Sequence, residues 1–306
     1  LFNILRIIYE DIKLLTQNQI GVLYMVGSVI CFSIMDICVK WLDYYPVGQV
    51  LFLRFFIGFI PIFFIIPKNK FLSFYKTKRP GLHAFRAFSG AAAIIALFIG
   101  LRELPLADVV SLTFGGPIFV TVASIFFLSE KVGIKRWSAV FLGFIGMLLI
   151  VQPAFIELNY YYITPIVFCI FFACVAISVR SLSKTEPNYT IAFYFTFLCT
   201  LLGLGTIFFV EWKMPTIIDL VIFTVMGLCG SIANLLLTQS YRLAEASLVT
   251  PIKYLSLVFA IVFGFLIWNE IPKILTLFGA LLVIASSLII FVRESQLKKQ
   301  IINPRA

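Results

Sequence analysis

Asp36 and Lys40 stand one helical turn apart inside an otherwise apolar run, with the acid on the N-terminal side. That order favours an ion pair along a helix. Arg54 follows after a short break and comes within reach of Asp36 if both segments are helical. An ionisable group surrounded by hydrocarbon is costly, so each one implies a partner or a polar ligand. Guanidinium binds planar anions through two parallel hydrogen bonds, which makes Arg54 a candidate clamp for a carboxylate or phosphate. An internal Asp36–Arg54 bridge locking two helices together is the alternative. Lys253, between Pro251 and Tyr254, is a second interior cation and must face a cavity, find an acid or extend its stem to water. With Asp36, Arg54, Asp108 and Lys253 inside, and Lys40 and Arg86 nearer the edges, the interior balance is cationic. It predicts an anionic or carboxylate-bearing ligand.

Other features concern movement and gating. Gly115-Gly116-Pro117 falls in the middle of an apolar segment, where proline removes a backbone donor and breaks the helix. Ser231, Asn234, Thr238 and Tyr241 make a polar stripe at helical spacing. Such a stripe faces a cavity or bonds a neighbouring helix. Glu130 and Glu270 end two apolar segments, with Arg136 and Lys273 as nearby cations for them; Arg102 and Arg242 occupy corresponding ends. Arg86 lies a turn inside its segment and is expected to anchor it by snorkelling. His83 is the single histidine and sits at a segment boundary, where an interfacial role outweighs a proton relay.

These residues need long apolar helices to hold them. Of 306 residues, 61% are hydrophobic and 12% charged, far from the composition of a soluble domain. A membrane-crossing helix takes roughly 20 apolar residues. Ten such spans are predicted, at 20–41, 47–67, 82–101, 106–128, 134–151, 162–179, 189–210, 217–240, 246–268 and 274–292. Charged, prolyl or turn-forming residues interrupt the chain between them. The net charge of +10 is concentrated in alternate connections. Lys68, Lys70, Lys76, Lys78 and Arg79 share one, Lys131, Lys135 and Arg136 the next, then Arg180 with Lys184, Arg242, and Arg293, Lys298, Lys299 and Arg305 in the tail. The positive-inside rule then puts both termini in the cytoplasm, and a role in binding nucleic acid is not expected. Residues 1–19 carry helical apolar spacing and read as an amphipathic surface segment. The first long span lacks a cleavage site and holds Asp36 and Lys40, so it is expected to be retained. All six cysteines lie in apolar spans without metal-ligand spacing. No metal or cofactor is expected.

The chain repeats internally. Arg102 pairs with Arg242, Val109 with Val249, Phe119 with Phe259, Val122 with Val262 and Glu130 with Glu270, each 140 residues apart. Five helices per repeat, an odd number, would make the halves 20–153 and 160–292 inverted, leaving 293–306 as a basic cytoplasmic tail.

The run 102–153 opens Arg102-Glu103-Leu104-Pro105-Leu106-Ala107-Asp108 and carries Pro117, Glu130, Trp137, Gly143 and Gly146. It closely resembles the EamA-type repeat of the drug/metabolite transporter superfamily. Arg54 and Arg86 also resemble that pattern, and the second half matches it more weakly through Ala246-Ser247, Pro251, Tyr254, Glu270-Ile271-Pro272 and Gly279. The resemblance implies an all-α, ten-helix inverted-repeat protein of a bacterial inner membrane, with a central cavity for a small-molecule substrate. It supplies no single substrate, since the family carries amino acids, vitamins, nucleotide-like compounds and drugs; S-adenosylmethionine and riboflavin are precedents. Substrate binding is expected at Asp36, Arg54, Gly116, Pro117, Asn234, Lys253 and Tyr254. Gating or structural roles fall to Lys40, Arg86, Arg102, Glu130, Arg242 and Glu270. No phosphate-binding loop of the G-x-x-x-x-G-K-[ST] type exists, so the driving force lies between a proton, a counter-substrate and facilitated diffusion, not nucleotide hydrolysis. Three rivals stand beside this reading: an exporter of cationic or lipophilic compounds, a membrane enzyme acting on lipid, and a non-transporting receptor or assembly subunit. The enzyme is disfavoured because the longest connection is short and basic and holds no catalytic acid.

Overall fold

A computed structural model describes residues 17–67, 70, 74–128, 134–157, 159–244 and 250–302. Every regular element among them is helical: α1 (Gln17–Trp41), α2 (Val47–Ile65), α3 (Pro80–Glu103), α4a (Leu106–Thr113), α4b (Gly116–Leu128), α5 (Ile134–Glu157), α6 (Ile163–Leu182), α7 (Asn188–Gly205), α8 (Ile217–Leu243), α9 (Leu255–Trp268) and α10 (Ile274–Ile302). Short 3-10 turns at Tyr160–Tyr162 and Thr250–Tyr254 lead into α6 and α9. Seven apolar stretches are long enough to cross a membrane; Trp137–Val151, Ile252–Trp268 and Ile274–Ile289 are shorter. The expected amphipathic segment lies outside the described residues apart from Gln17, Asn18 and Gln19, which open α1. The last span was expected to end at residue 292; α10 continues through the basic tail to Ile302.

Local chemistry sets the boundaries. Pro46, Pro105 and Pro187 precede the first residues of α2, α4a and α7, where proline's fixed φ suits the entry and no donor is wasted. Thr216 and Asp219 form a reciprocal capping box at the start of α8. The fourth span is broken, as Gly115-Gly116-Pro117 predicts, through a turn at Phe114 and Gly115. Side chains of two other helices meet the carbonyls around the break, where Pro117 interrupts the helical bonding. Cys169 Sγ of α6 donates to Leu112 O at 3.4 Å, and Ser287 Oγ of α10 donates to Phe114 O at 2.8 Å. The break is therefore a built feature, because buried carbonyls without donors would be costly.

Long, fully apolar faces pack by close approach of small residues, since lipid offers no hydrophobic drive between helices. α1 packs on α8 and α3 on α6; α2 meets α8 as α3 meets α7; α5 packs on α10 and α2 on α7. Gly146 of α5 and Gly279 of α10 nearly touch, so a Cβ on Gly279 would stand 2.5 Å from Gly146 O. Ser286 Oγ donates to Ala139 O at 2.6 Å across the same seam. Gly279→Val is expected to part these helices, lowering the melting temperature of the detergent-purified protein well below that of Gly205→Val, whose site is open. Equal melting of the two variants would refute this tight seam. Large apolar side chains such as Phe64, Phe88 and Phe208 remain on the outside, as a lipid-facing surface requires.

Candidate functional site

One face of the bundle is sealed by polar contacts. Lys40, at the end of α1, reaches across to Glu270: Nζ lies 2.6 Å from Oε1. The same ammonium donates to Leu104 O at 2.6 Å, and Leu106 N–H donates to Glu270 Oε2 at 2.8 Å. Trp268 lies 5.4 Å from Lys40 Nζ and meets Trp41 edge-on. The Glu270 position depends on Asn269, which ends α9 at φ 55°, a left-handed turn that asparagine tolerates better than most residues. The expected Asp36–Lys40 pair along α1 does not form, because Lys40 turns to Glu270 and the 104–106 backbone. Glu270, for which Lys273 was the expected nearby cation, also takes Lys40 as a partner, which only the tertiary fold brings near.

A second cluster closes the same face beside it. Tyr44 and Tyr45 both donate to the Asp219 carboxylate, Tyr45 at 2.8 Å. Burial and this hydrogen bond push the Tyr45 phenol upward from its ordinary value, so it remains a donor throughout the physiological range. Arg102 donates to Tyr45 O at 2.8 Å and Leu42 O at 3.2 Å, clasping the end of α1. Gln49 exchanges two hydrogen bonds with the Lys213 backbone. The Tyr–Asp219 contact was not foreseen. Its visible signal was the capping pattern Thr216-x-x-Asp219, which says where the acid sits but not that the connection after α1 delivers two phenols to it.

The interior holds Arg54, only 6% exposed. Its Nε contacts Met35 Sδ at 3.3 Å, and its guanidinium lies 4.6 Å from the Phe55 ring and 5.7 Å from the Phe98 ring. Gly230 of α8 makes room for it, since a Cβ there would stand 3.1 Å from Nε. Nη1 is buried with no hydrogen-bond partner, and so is Asp36 Oδ1. The alternative of an Asp36–Arg54 bridge is not realised: the two side chains form no ion pair within 4 Å.

Asp36 instead lines a narrow recess with Ser33, Leu106, Val110, Ser256, Phe259, Ala260 and Phe263, between α1, α4a and α9. Lys253 and Tyr254 lie just below it in the turn leading to α9, both partly buried. Tyr254 meets Phe114 edge-to-face at 5.0 Å, so the break in the fourth span touches the entry to α9. Asn234 is exposed one turn from Gly230 and donates back to Gly230 O. Gly116 packs against Phe172 and Pro117 is exposed; both shape the break rather than line the recess. Asp108 accepts a hydrogen bond from Tyr162 at the N-terminal turn of α4a.

Arg86 does not extend to the interface. Its guanidinium lies 3.7 Å over the Phe195 ring of α7, with Nε and Nη1 buried and unpartnered. His83 is 1% exposed and packs on Tyr194. Arg242 falls at the end of α8, and Glu130 lies outside the described residues.

Comparison with known proteins decides the family. The EamA-like transporter family matches residues 19–152 and again 159–292. The chain belongs to that family. The two matches are tandem EamA domains, and they repeat at the spacing that relates Glu130 to Glu270. A riboflavin transporter of Rhizobium johnstonii is 27% identical over 93% of this chain and 94% of its own. An S-adenosylmethionine uptake transporter of Rickettsia bellii is 26% identical over 92% and 97%, and a pseudopaline exporter of Pseudomonas aeruginosa 26% over 87% and 94%. A solved crystal structure, 14% identical, superposes with a TM-score of 0.62 over 90% of this chain and 98% of that one, which speaks to the fold alone. This EamA protein is thus a multi-pass membrane protein whose family and relatives point to small-molecule transport.

Proposed function

We propose that this EamA protein is a secondary transporter moving a small carboxylate-bearing or anionic metabolite across the bacterial cytoplasmic membrane by alternating access. Arg54 carries the reading. A guanidinium buried among Met35, Phe55 and Phe98 with a free donor is costly to leave unbonded, and an anion would supply the missing acceptor. Asp36, Asn234, Lys253 and Tyr254 complete the binding group, and the Gly116-Pro117 break gives the fourth span room to move. Lys40, Glu270 and Arg102 act as the gate on the sealed face, which the basic connections elsewhere make extracytoplasmic. Both termini are then cytoplasmic.

The two halves are read as inverted five-helix repeats. Exchanging each helix with its counterpart five later turns the α1–α8 contact into α6–α3, and α2–α8 into α7–α3, both of which occur. The Ala139–Ser286 contact becomes Gly279–Gly146, which also occurs. Inverted halves can swap conformations and so expose one site to either side. Glu130 and Arg242 would then serve the opposite face as Glu270 and Arg102 serve this one. A proton or a counter-substrate supplies the drive.

A second reading is favoured by the recess itself, where the Asp36 carboxylate lies beside Phe259 and Phe263. Such walls suit a cationic or lipophilic compound, and export would be its direction. The relatives' names span riboflavin, S-adenosylmethionine and pseudopaline, so they offer classes rather than one cargo. Counterflow in proteoliposomes preloaded with anionic, zwitterionic and cationic metabolites separates the readings. Saturable exchange of carboxylate or phosphate compounds is expected; exchange confined to cations would transfer the role to Asp36. Exchange of nothing by folded protein would leave a non-transporting receptor or assembly subunit.

A further inference from the structure

Ser33 and Asp36 lie one turn apart on α1 and face Ser256, Phe259, Ala260 and Phe263 of α9 across the recess. Ser33 Oγ and Asp36 Oδ1 are both shielded and without partners. Ser256 spends its hydroxyl hydrogen on Lys253 O at 2.7 Å, so its oxygen offers the recess only lone pairs. The polar lining therefore offers one free hydroxyl, the Ser256 lone pairs and one carboxylate. That carboxylate has no cation of its own. Lys40, on the next turn, is committed to Glu270 and Leu104 O, and Arg54 remains outside ion-pair distance against Met35. Two phenylalanines wall the space, and aromatic faces attract a cation stripped of water.

We infer that Asp36 is a second charge-reading residue of the substrate site, receiving a protonated amine carried by the same molecule whose carboxylate engages Arg54. The inference rests on the reading of Arg54 as an anion clamp and narrows it: the cargo is zwitterionic. Asp36 on α1 and Arg54 on α2 then discriminate at the two ends of the molecule. A molecule with only a carboxylate leaves Asp36 buried beside it without a donor, and one with only an amine leaves Arg54 unmet. Each mismatch strands a buried charge, which is how a site rejects an analogue lacking one polar group.

The test uses the full chain in proteoliposomes. The protein amino acids, their N-acetyl derivatives and their methyl esters compete in counterflow, with lactate and succinate as plain carboxylates. At least one parent amino acid is expected to exchange, with its N-acetyl form weaker by roughly tenfold or more. Asp36→Asn should close most of that gap by weakening the parent, whereas Asp36→Glu should keep it. Circular dichroism and size-exclusion profiles show whether each variant folds, and the wild-type comparison needs no variant. An N-acetyl form that competes as well as its parent overturns the inference. So does exchange of lactate or succinate without any amino acid, although Arg54 keeps its anion. Methyl esters that compete as well as parents, or no exchange by any compound, overturn the Arg54 reading and this inference together.

Discussion

Glu270→Ala is expected to destabilise the protein by about 3–5 kcal/mol and to open the sealed face. Lys40 is 7% exposed and Glu270 21% on their side chains, so truncating the acid strands an ammonium in an apolar site. It also removes the acceptor for Leu106 N–H. The melting temperature of the detergent-purified protein should drop by many degrees. Cys38, buried two residues before Lys40, should become reactive towards a maleimide, read at that peptide by mass spectrometry. The paired change Lys40→Met with Glu270→Leu should recover much of the stability, because an apolar pair of similar volume relieves the stranded charge. It should not restore protection of Cys38, since nothing then ties Leu104 and Leu106 to α1 and α9. Wild-type melting and an unreactive Cys38 in Glu270→Ala would show that this contact holds nothing closed.

Arg54→Met is expected to abolish exchange of carboxylate compounds while leaving the melting temperature close to wild type. The charged hydrogen bonds it would make to an anion are worth about 1.5–3 kcal/mol each, or roughly 10- to 150-fold in apparent affinity. In the empty protein the guanidinium forms no ion pair and leaves Nη1 unsatisfied, so a methionine among Met35, Phe55 and Phe98 loses little. Arg54→Lys should not rescue transport, because an ammonium lacks the planar fork. A variant that melts far below wild type, or that transports normally, would make Arg54 a packing residue. Stability and function should part at this position and fall together at Glu270, which distinguishes a binding group from a latch.

The two faces of this protein differ in how visible they were beforehand. The break at Gly115-Gly116-Pro117 was legible because proline and glycine act on their own backbone. Ser287 and Cys169, which donate to carbonyls around the break, were not, because nothing in a lone serine or cysteine says which helix it will face. Lys40 was expected to pair with Asp36 on its own helix. It pairs with Glu270 because the left-handed turn at Asn269 brings that acid to the end of α1. Arg86 was expected to reach water, but Phe195 of α7 offers a closer ring face. Of the two readings of Asp36 and Arg54, bridge or anion clamp, the structure forms no bridge, and each keeps an unpartnered atom.

Sequence alone determined that the chain lives in a membrane and that it repeats at a spacing of 140. These are properties of short windows, because a bilayer tests each segment separately for length, polarity and flanking charge. Tertiary structure alone decided which charges meet, which remain unpaired and which face is shut. Partners such as Leu106 and Glu270 lie 164 residues apart, and helices surrounded by lipid choose neighbours by surface shape and a few hydrogen bonds, information that no single segment contains.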